Sequence, residues 1–354
     1  MQQQNKNSEF EGFCYSGERF ADLQMLRYRL NGFESLSLRQ KLYVYYLSKA
    51  TLAGRDITTD QFGFYNLDIR KVLEAVYVNY QGNKECEDFI AMTIYLKRIW
   101  FSNGIYHHYG SEKFAPEFSP AFLLDAMKSI EPSLLPLAKG ETVDGLFDRL
   151  KSAIFDHSFL PKKVNKADGC DLVATSACNF YHNVSQHEVE DYYSSLKATV
   201  DKNPPSFGLN SRLVKQNGEL IEQVWKIDGM YSKAIEIIVS YLRQAAEYAE
   251  NEQQQKIISL LISYYQTGDL RVFDKYSIEW LKEQDGRIDF INGFIEVYND
   301  PLGVKASWEG IVEYKDLVAT RRTRTISDNA QWFEDNSPVD SRFKKKIVKG
   351  VTAN

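Results

Sequence analysis

The sequence holds only four cysteines and five histidines in 354 residues, and neither type is arranged for its usual work. Cys14, Cys86, Cys170 and Cys178 form no CxxC pair, and the Cys170 to Cys178 interval is too wide for a zinc knuckle. A reduced compartment with free thiols is the plain expectation, which points to the cytoplasm. No run approaches the roughly 18 apolar residues of a membrane span. The polar opening Met1 to Asn7 lacks the apolar core of a secretory signal, so export is expected only if a signal was removed earlier. Excess charge of one sign is also missing. A net charge of −5 argues against nucleic acid, whose phosphates need clustered cations. The short runs Arg321-Arg322-Thr323-Arg324 and Lys344-Lys345-Lys346 read as solvated faces or tail. There is no GxSxG elbow, Walker loop, GxGxxG or EF-hand pattern, which withdraws the usual support for four common chemistries.

What is present is a soluble globular composition, 44% hydrophobic and 26% charged, with a heavy load of 22 Tyr, 21 Phe and 5 Trp. Tyr and Trp in such numbers favour clefts, where a ring is buried while its polar tip stays wet. Residues 1–16 read as a polar tail, and to about residue 160 the pattern is helical. Apolar positions recur through Leu38 to Leu52, with Ser37 as cap and Gly54 as stop, and again through Ile69 to Tyr80. A further stripe, Phe89, Ile90, Thr93, Ile94 and Trp100, predicts the next helix, and Ser119-Pro120 opens another. Ser185-Gln186-His187-Glu188 has the form of a capping box. Asn217-Gly218 between Leu213-Val214-Lys215 and Leu220 to Trp225 predicts a hairpin. Helices follow near 230–249, 253–266 and 270–284, broken at Gly268. Two strands, Ile288 to Tyr298 and Val304 to Lys315, are then expected around the turn Asn299 to Gly303, and a polar helix over Asp316 to Glu334. The fold class is α+β, with helices around a small antiparallel sheet or partial barrel.

Three groups of residues bear on chemistry. His187-Glu188-Val189-Glu190-Asp191 approximates a zinc-protease helix, except that Asp191 stands where the second His is required; capping explains Glu188 better than a metal does. His107 and His108, which adjacency turns apart in any regular element, sit in an aromatic loop from Trp100 to Gly110 that suits a groove wall. Along a regular strand, Phe294, Glu296 and Tyr298 share one face and set a carboxylate beside a phenol. Across the turn, Ser307, Glu309 and Ile311 share a face and bring a second acid close by; a plain amphipathic edge strand shows the same pattern.

Phe294-Ile295-Glu296-Val297-Tyr298, followed by Asp300-Pro301-Leu302-Gly303 and Trp308-Glu309-Gly310, resembles the dipeptidyl peptidase III family of zinc aminopeptidases, bacterial members above all. Trp100-Phe101-Ser102-Asn103-Gly104 to Tyr109 with Glu112-Lys113-Phe114, and Phe207 to Leu213, carry the same resemblance, which runs from about Phe20 to the end.

The resemblance implies a two-lobed enzyme that removes dipeptides from the free N-terminus of short peptides. Its cleft would lie between a lobe with a five-stranded barrel and a helical lobe that carries zinc. Glu296 would pair with the peptide's α-ammonium, and Tyr298 would donate a hydrogen bond to the scissile carbonyl as it becomes an oxyanion. Glu309, Asn103 and Tyr109 would line the cleft in support. Val297 stands where many relatives have Ser. The larger departure is that the family's HExxGH helix, its later EExRAE-type segment and its Asn-x-x-Asn are all absent from these residues. The chain is therefore expected to correspond to the N-terminal, barrel-containing portion: residues 17–335 as the substrate-binding lobe, helical over 17–200 and mixed over 205–335, and 336–354 leading toward a zinc lobe. Alone it is expected to bind no zinc and to be inactive, to take peptides with a free N-terminus, to avoid nucleic acid and membrane, and to self-associate through exposed barrel edges. The alternative is a non-catalytic peptide-binding protein on the same lobe.

Overall fold

A computed structural model describes residues 12–200 and 202–348. The expected polar tail lies mostly outside the described residues. Where it ends, a hairpin forms that helical periodicity did not foresee: β1 (Ser16–Phe20) and β2 (Leu23–Leu26) pair antiparallel. Its turn carries Ala21 at φ 47°, a left-handed residue without the Gly or Asn that would have announced it.

The helices begin as their caps dictate. α1 (Leu38–Ala53) opens on a full capping box, with Ser37 Oγ accepting from the Gln40 amide and Gln40 Oε1 accepting from the Ser37 amide. Gly54 ends it, but with helical φ −86°, so α2 (Arg55–Gln61) follows at once. The glycine serves close approach instead, since a Cβ there would stand 2.3 Å from the Trp308 ring. Next come α3 (Asn66–Asn79), α4 (Glu87–Ser102), α5 (Pro120–Lys128) and α6 (Val143–Phe155). In α4 the buried stripe is Phe89, Met92, Tyr95, Leu96 and Ile99; the expected Ile90 and Trp100 lie exposed on the outer side. These four helices share a core of their own, including Leu73, Met92, Leu123 and Leu150.

A second core gathers α1 and Ile57 of α2 with buried residues between Val173 and Trp308. After β3 (Tyr181–His182), the Ser185 and Glu188 capping box opens α7 (Gln186–Ala198), as the sequence required. β4 (Ser211–Gln216) and β5 (Glu219–Val224) form the Asn217-Gly218 hairpin in register, both turn residues having positive φ, and β3 joins β4 in parallel. α8 (Ser232–Tyr248), α9 (Glu252–Thr267) and α10 (Leu270–Trp280) fall where expected, with Gly268 at φ 70° between the last two. β6 (Ile288–Glu296) pairs antiparallel with β7 (Ser307–Tyr314), and α11 (Leu317–Asp328) and α12 (Ala330–Asn336) follow with no buried residue.

The fold is α+β, but the expected five-stranded barrel is not formed: the described residues hold one three-stranded and two two-stranded sheets. The β4–β5 and β6–β7 hairpins meet through side chains instead of a shared ladder. Trp225, just after β5, packs on Phe294 with ring centroids 4.7 Å apart, while α9 ties in the same hairpin: the Trp308 indole donates to the Tyr265 hydroxyl, which in turn donates to Asn292. Aromatic packing of this kind buries the hairpin faces without closing the sheet. No helix of the described residues is long and apolar enough to cross a membrane.

Candidate functional site in the loop beyond strand β6

The β6–β7 ladder sets the site, and it departs from simple alternation. Phe294 pairs with Trp308, but the next partners are Glu296 and Ser307, so Ile295 is an extra residue in a bulge. Phe294 is fully buried with Trp308 on the core face, whereas Glu296 turns to the opposite face and lies exposed. Phe294 and Glu296 therefore do not share a face. The bulge instead puts Glu296 on the face of Ser307 and Glu309, the pair of acids that the sequence brings close from opposite strands.

Glu309 sits opposite Gly293 and is half-buried. Burial first, and the negative charge of Glu296 second, push its carboxyl up to about 7. A neutral or half-ionised acid beside an ionised one is an electrostatic arrangement that a cation relieves.

Tyr298 is not on the strand. β6 stops at Glu296 because the following turn folds around Asp300, whose buried carboxylate accepts from the Val304 and Lys305 amides and from the Tyr181 hydroxyl at 2.7–2.8 Å. The turn leaves Tyr298 76% exposed with its phenol free to reach solvent. The loop from Val297 to Ala306 is thus longer than the five-residue turn read from the sequence.

Tyr298 and Asn299 form one wall of an open cleft of about 560 Å³. The aromatic loop supplies another wall through His108 and Tyr109, the latter 88% exposed. The two histidines of that loop do not point apart: their rings stack at 4.4 Å, because His107 Nδ1 accepts from the Tyr109 and Gly110 amides and curls the loop back. Asn103 is elsewhere. It caps α4 in the left-handed conformation and lines a separate cavity of about 310 Å³ with Arg55, Arg70 and Trp100. The third side of the cleft, residues 162–167 with Lys162, Lys163 and Lys166, escaped the sequence reading, since nothing local marks a loop brought in from that distance.

His187 stays with Asp191 as an exposed contact at 3.2 Å, and Glu188 caps α7 while binding Lys215. Among the described residues no group of three or more His, Cys, Asp or Glu is placed to hold a metal ion. The zinc of the resembled family thus finds no fitting donor set among these residues.

Comparison with known proteins agrees with the sequence resemblance. Residues 176–349 match peptidase family M49. Dipeptidyl peptidase 3 of Dictyostelium discoideum is 23% identical over 90% of this chain and 48% of its own length; the Homo sapiens protein is 22% identical over 88% and 46%. The chain therefore spans about half the length of the curated relatives it matches. The solved structure of DPP III from Caldithrix abyssi superposes with a TM-score of 0.60 at 18% identity, covering 89% of this chain and 47% of that one. Dipeptidyl-peptidase III from Corallococcus sp. strain EGB gives 0.57 at 16% identity, over 90% and 46%. The chain thus matches peptidase family M49 over residues 176–349, is similar to dipeptidyl peptidase 3 proteins over about nine-tenths of its length, and shares the fold of the two solved dipeptidyl peptidase III structures.

Proposed function

We propose that this chain forms the amine-recognising wall of a peptide cleft in a peptidase of the dipeptidyl peptidase III type, taking short peptides with a free N-terminus. The observation that carries this reading is the shared face of Glu296 and Glu309, with the exposed Tyr298 two residues beyond Glu296 in the chain. An α-ammonium entering beside two facing carboxylates offsets their repulsion and ionises Glu309 fully, so charge complementarity is made on binding. Anchoring the first residue there fixes where the chain begins, which is how an exopeptidase counts to its cut. Tyr298 can then donate to a carbonyl further along, an interaction that strengthens as negative charge develops on that oxygen.

Beyond that donor role of Tyr298, no hydrolytic step is assigned to these residues. Zinc and its ligands, in this proposal, come from sequence outside the 354 residues, and the cytoplasm is the compartment that suits the free thiols Cys14, Cys86, Cys170 and Cys178. Neither nucleic acid nor membrane enters the proposal; Tyr109 acts only as lining, and Asn103, which lines a separate cavity, has no part in it.

Calorimetry with tetra- and pentapeptides, free and N-acetylated, tests the reading. A charge-assisted contact of about 1.5–3 kcal/mol implies roughly tenfold or greater weakening on acetylation. Glu296→Gln should erase that difference. Binding that survives both changes removes amine capture. Dipeptidyl-arylamide hydrolysis by the chain alone, sensitive to chelator, would overturn the placement of the metal outside it; peptide binding without hydrolysis after the metal-bearing half is added favours the non-catalytic alternative.

A further inference from the structure

The ionisable side chains that line the cleft beside Tyr298 are basic, although Glu112 pairs with Lys162 across an isolated bridge at its edge. Its lining includes Lys162, Lys163, Lys166 and His108 and contains no Asp or Glu. No carboxylate of the described residues forms an ion pair with any of the three lysines. Lys163 is the unusual one, because it is only 4% exposed. Its ammonium lies over the Phe62 ring at 4.4 Å, and burial lowers its pKa. A cation–π contact of this sort stabilises the charge, and with no hydrogen bond or ion pair to the ammonium among the described residues, its protons stay open to solvent or a ligand in the cleft. His108 adds a second unmet group, since its buried Nδ1 has no hydrogen-bond partner among the described residues.

The loop that holds them is built, not loose. The Lys163 amide donates to Ser111 O at 2.8 Å, its carbonyl accepts from the Cys178 amide at 3.1 Å, and the Asn165 amide donates to Ser176 Oγ at 2.9 Å. An ammonium at the mouth of a largely buried side chain, on a loop anchored by backbone bonds and without a counter-charge, is best completed by an anion entering the cleft.

We propose that this cleft is a carboxylate subsite, in which Lys163, flanked by Lys162 and Lys166, receives a carboxylate of the bound peptide downstream of its N-terminus. The inference rests on the amine-capture reading for its substrate class, and it adds a second charge requirement: the peptide is held as a zwitterion, ammonium toward Glu296 and Glu309, carboxylate toward Lys163. The carboxylate can be the C-terminal one or an acidic side chain, and both offer the same two oxygens to the site.

Four tetrapeptides separate these cases in calorimetry on the full chain: an all-alanine free acid, its C-terminal amide, an amide with Asp at the third position, and the N-acetylated free acid. The expected result is about tenfold weaker binding for the neutral amide than for at least one carboxylate form, the size of one charge-assisted contact. Lys163→Met keeps the packing on Phe62 and should abolish that preference while the effect of acetylation persists. If Lys163→Met does not fold, the exposed pair Lys162→Met and Lys166→Met should reduce the preference instead. Equal affinity for neutral and anionic peptides, or a preference that survives the variants that fold, overturns the subsite. An acetylation effect without a carboxylate effect sinks this inference alone; a carboxylate effect without an acetylation effect sinks amine capture alone.

Discussion

Glu309 and Glu296 share one face of the β6–β7 hairpin because a single extra residue, Ile295, breaks the alternation of the strand. Their proximity has a measurable pH consequence. Burial and the Glu296 charge hold Glu309 at about 7 against an ordinary 4.5. Between those two values the folded state binds more protons than the unfolded one, so stability falls as pH rises through the window. Thermal unfolding followed from pH 4.5 to above 7 should show that decline, and Glu309→Gln should flatten it. Glu296→Gln should move the decline to lower pH, since the like charge is gone. A native slope retained in the Glu309→Gln variant would remove the acid pair as its origin.

Peptide binding should release protons. An ammonium placed by the two acids lowers the Glu309 pKa, so near pH 7 a carboxyl that is partly protonated gives up its proton on binding. Calorimetry near pH 7 in two buffers of different ionisation enthalpy should report a release of up to about half a proton per free-amine peptide. The N-acetylated peptide should release almost none. Equal release from both peptides places the proton elsewhere.

The elements with local signatures were legible: the Ser37 cap, the Ser185 capping box, the Asn217-Gly218 hairpin and the Gly268 break are each fixed by residues within a few positions of one another. What escaped depends on distant partners. The Ile295 bulge arises where Phe294 must meet Trp225 and Trp308 in the core while the chain turns toward buried Asp300, and no two-residue periodicity encodes that conflict. The acid pair was legible as proximity, but the face it occupies was not. Lys163 gave no signal because its burial comes from segments 111 and 178, far from it in sequence. The family likeness was legible in the Phe294 to Gly310 motifs, whereas the barrel it implied was not formed.

Lys305 is a fully buried ammonium inside the same loop. It donates to the Tyr193 hydroxyl at 2.6 Å and to Ser211 Oγ at 3.3 Å, and both of those hydroxyls donate to Glu222. Burial, opposed by Glu222 and Asp300, lowers its pKa from 10.5 to about 8. Between these values the unfolded chain binds more protons, so stability should rise with pH across that interval. Lys305→Met removes this rise and leaves acceptors unmet, at a cost of about 1–3 kcal/mol near neutrality. Urea unfolding at two pH values checks both, and an unchanged pH slope in the variant assigns the rise to another group.

Gly54 and Trp308 make the last case, because their contact positions the strand that carries Glu309. Gly54 has ordinary helical φ, so no backbone reason demands glycine there. The demand is steric: a Cβ would lie 2.3–2.4 Å from three atoms of the Trp308 ring, which is itself nearly buried and hydrogen-bonded to Tyr265. Gly54→Ala should therefore destabilise by about 1–3 kcal/mol, the usual range for overpacking, although alanine is the better helix former. Trp308→Phe should cost stability by itself but relieve Gly54→Ala in the double variant, giving a favourable coupling of about 0.5 kcal/mol or more. Chemical denaturation of the four proteins measures that cycle. Additive effects would mean that the ring can move aside, and then β7 would not be held by this contact.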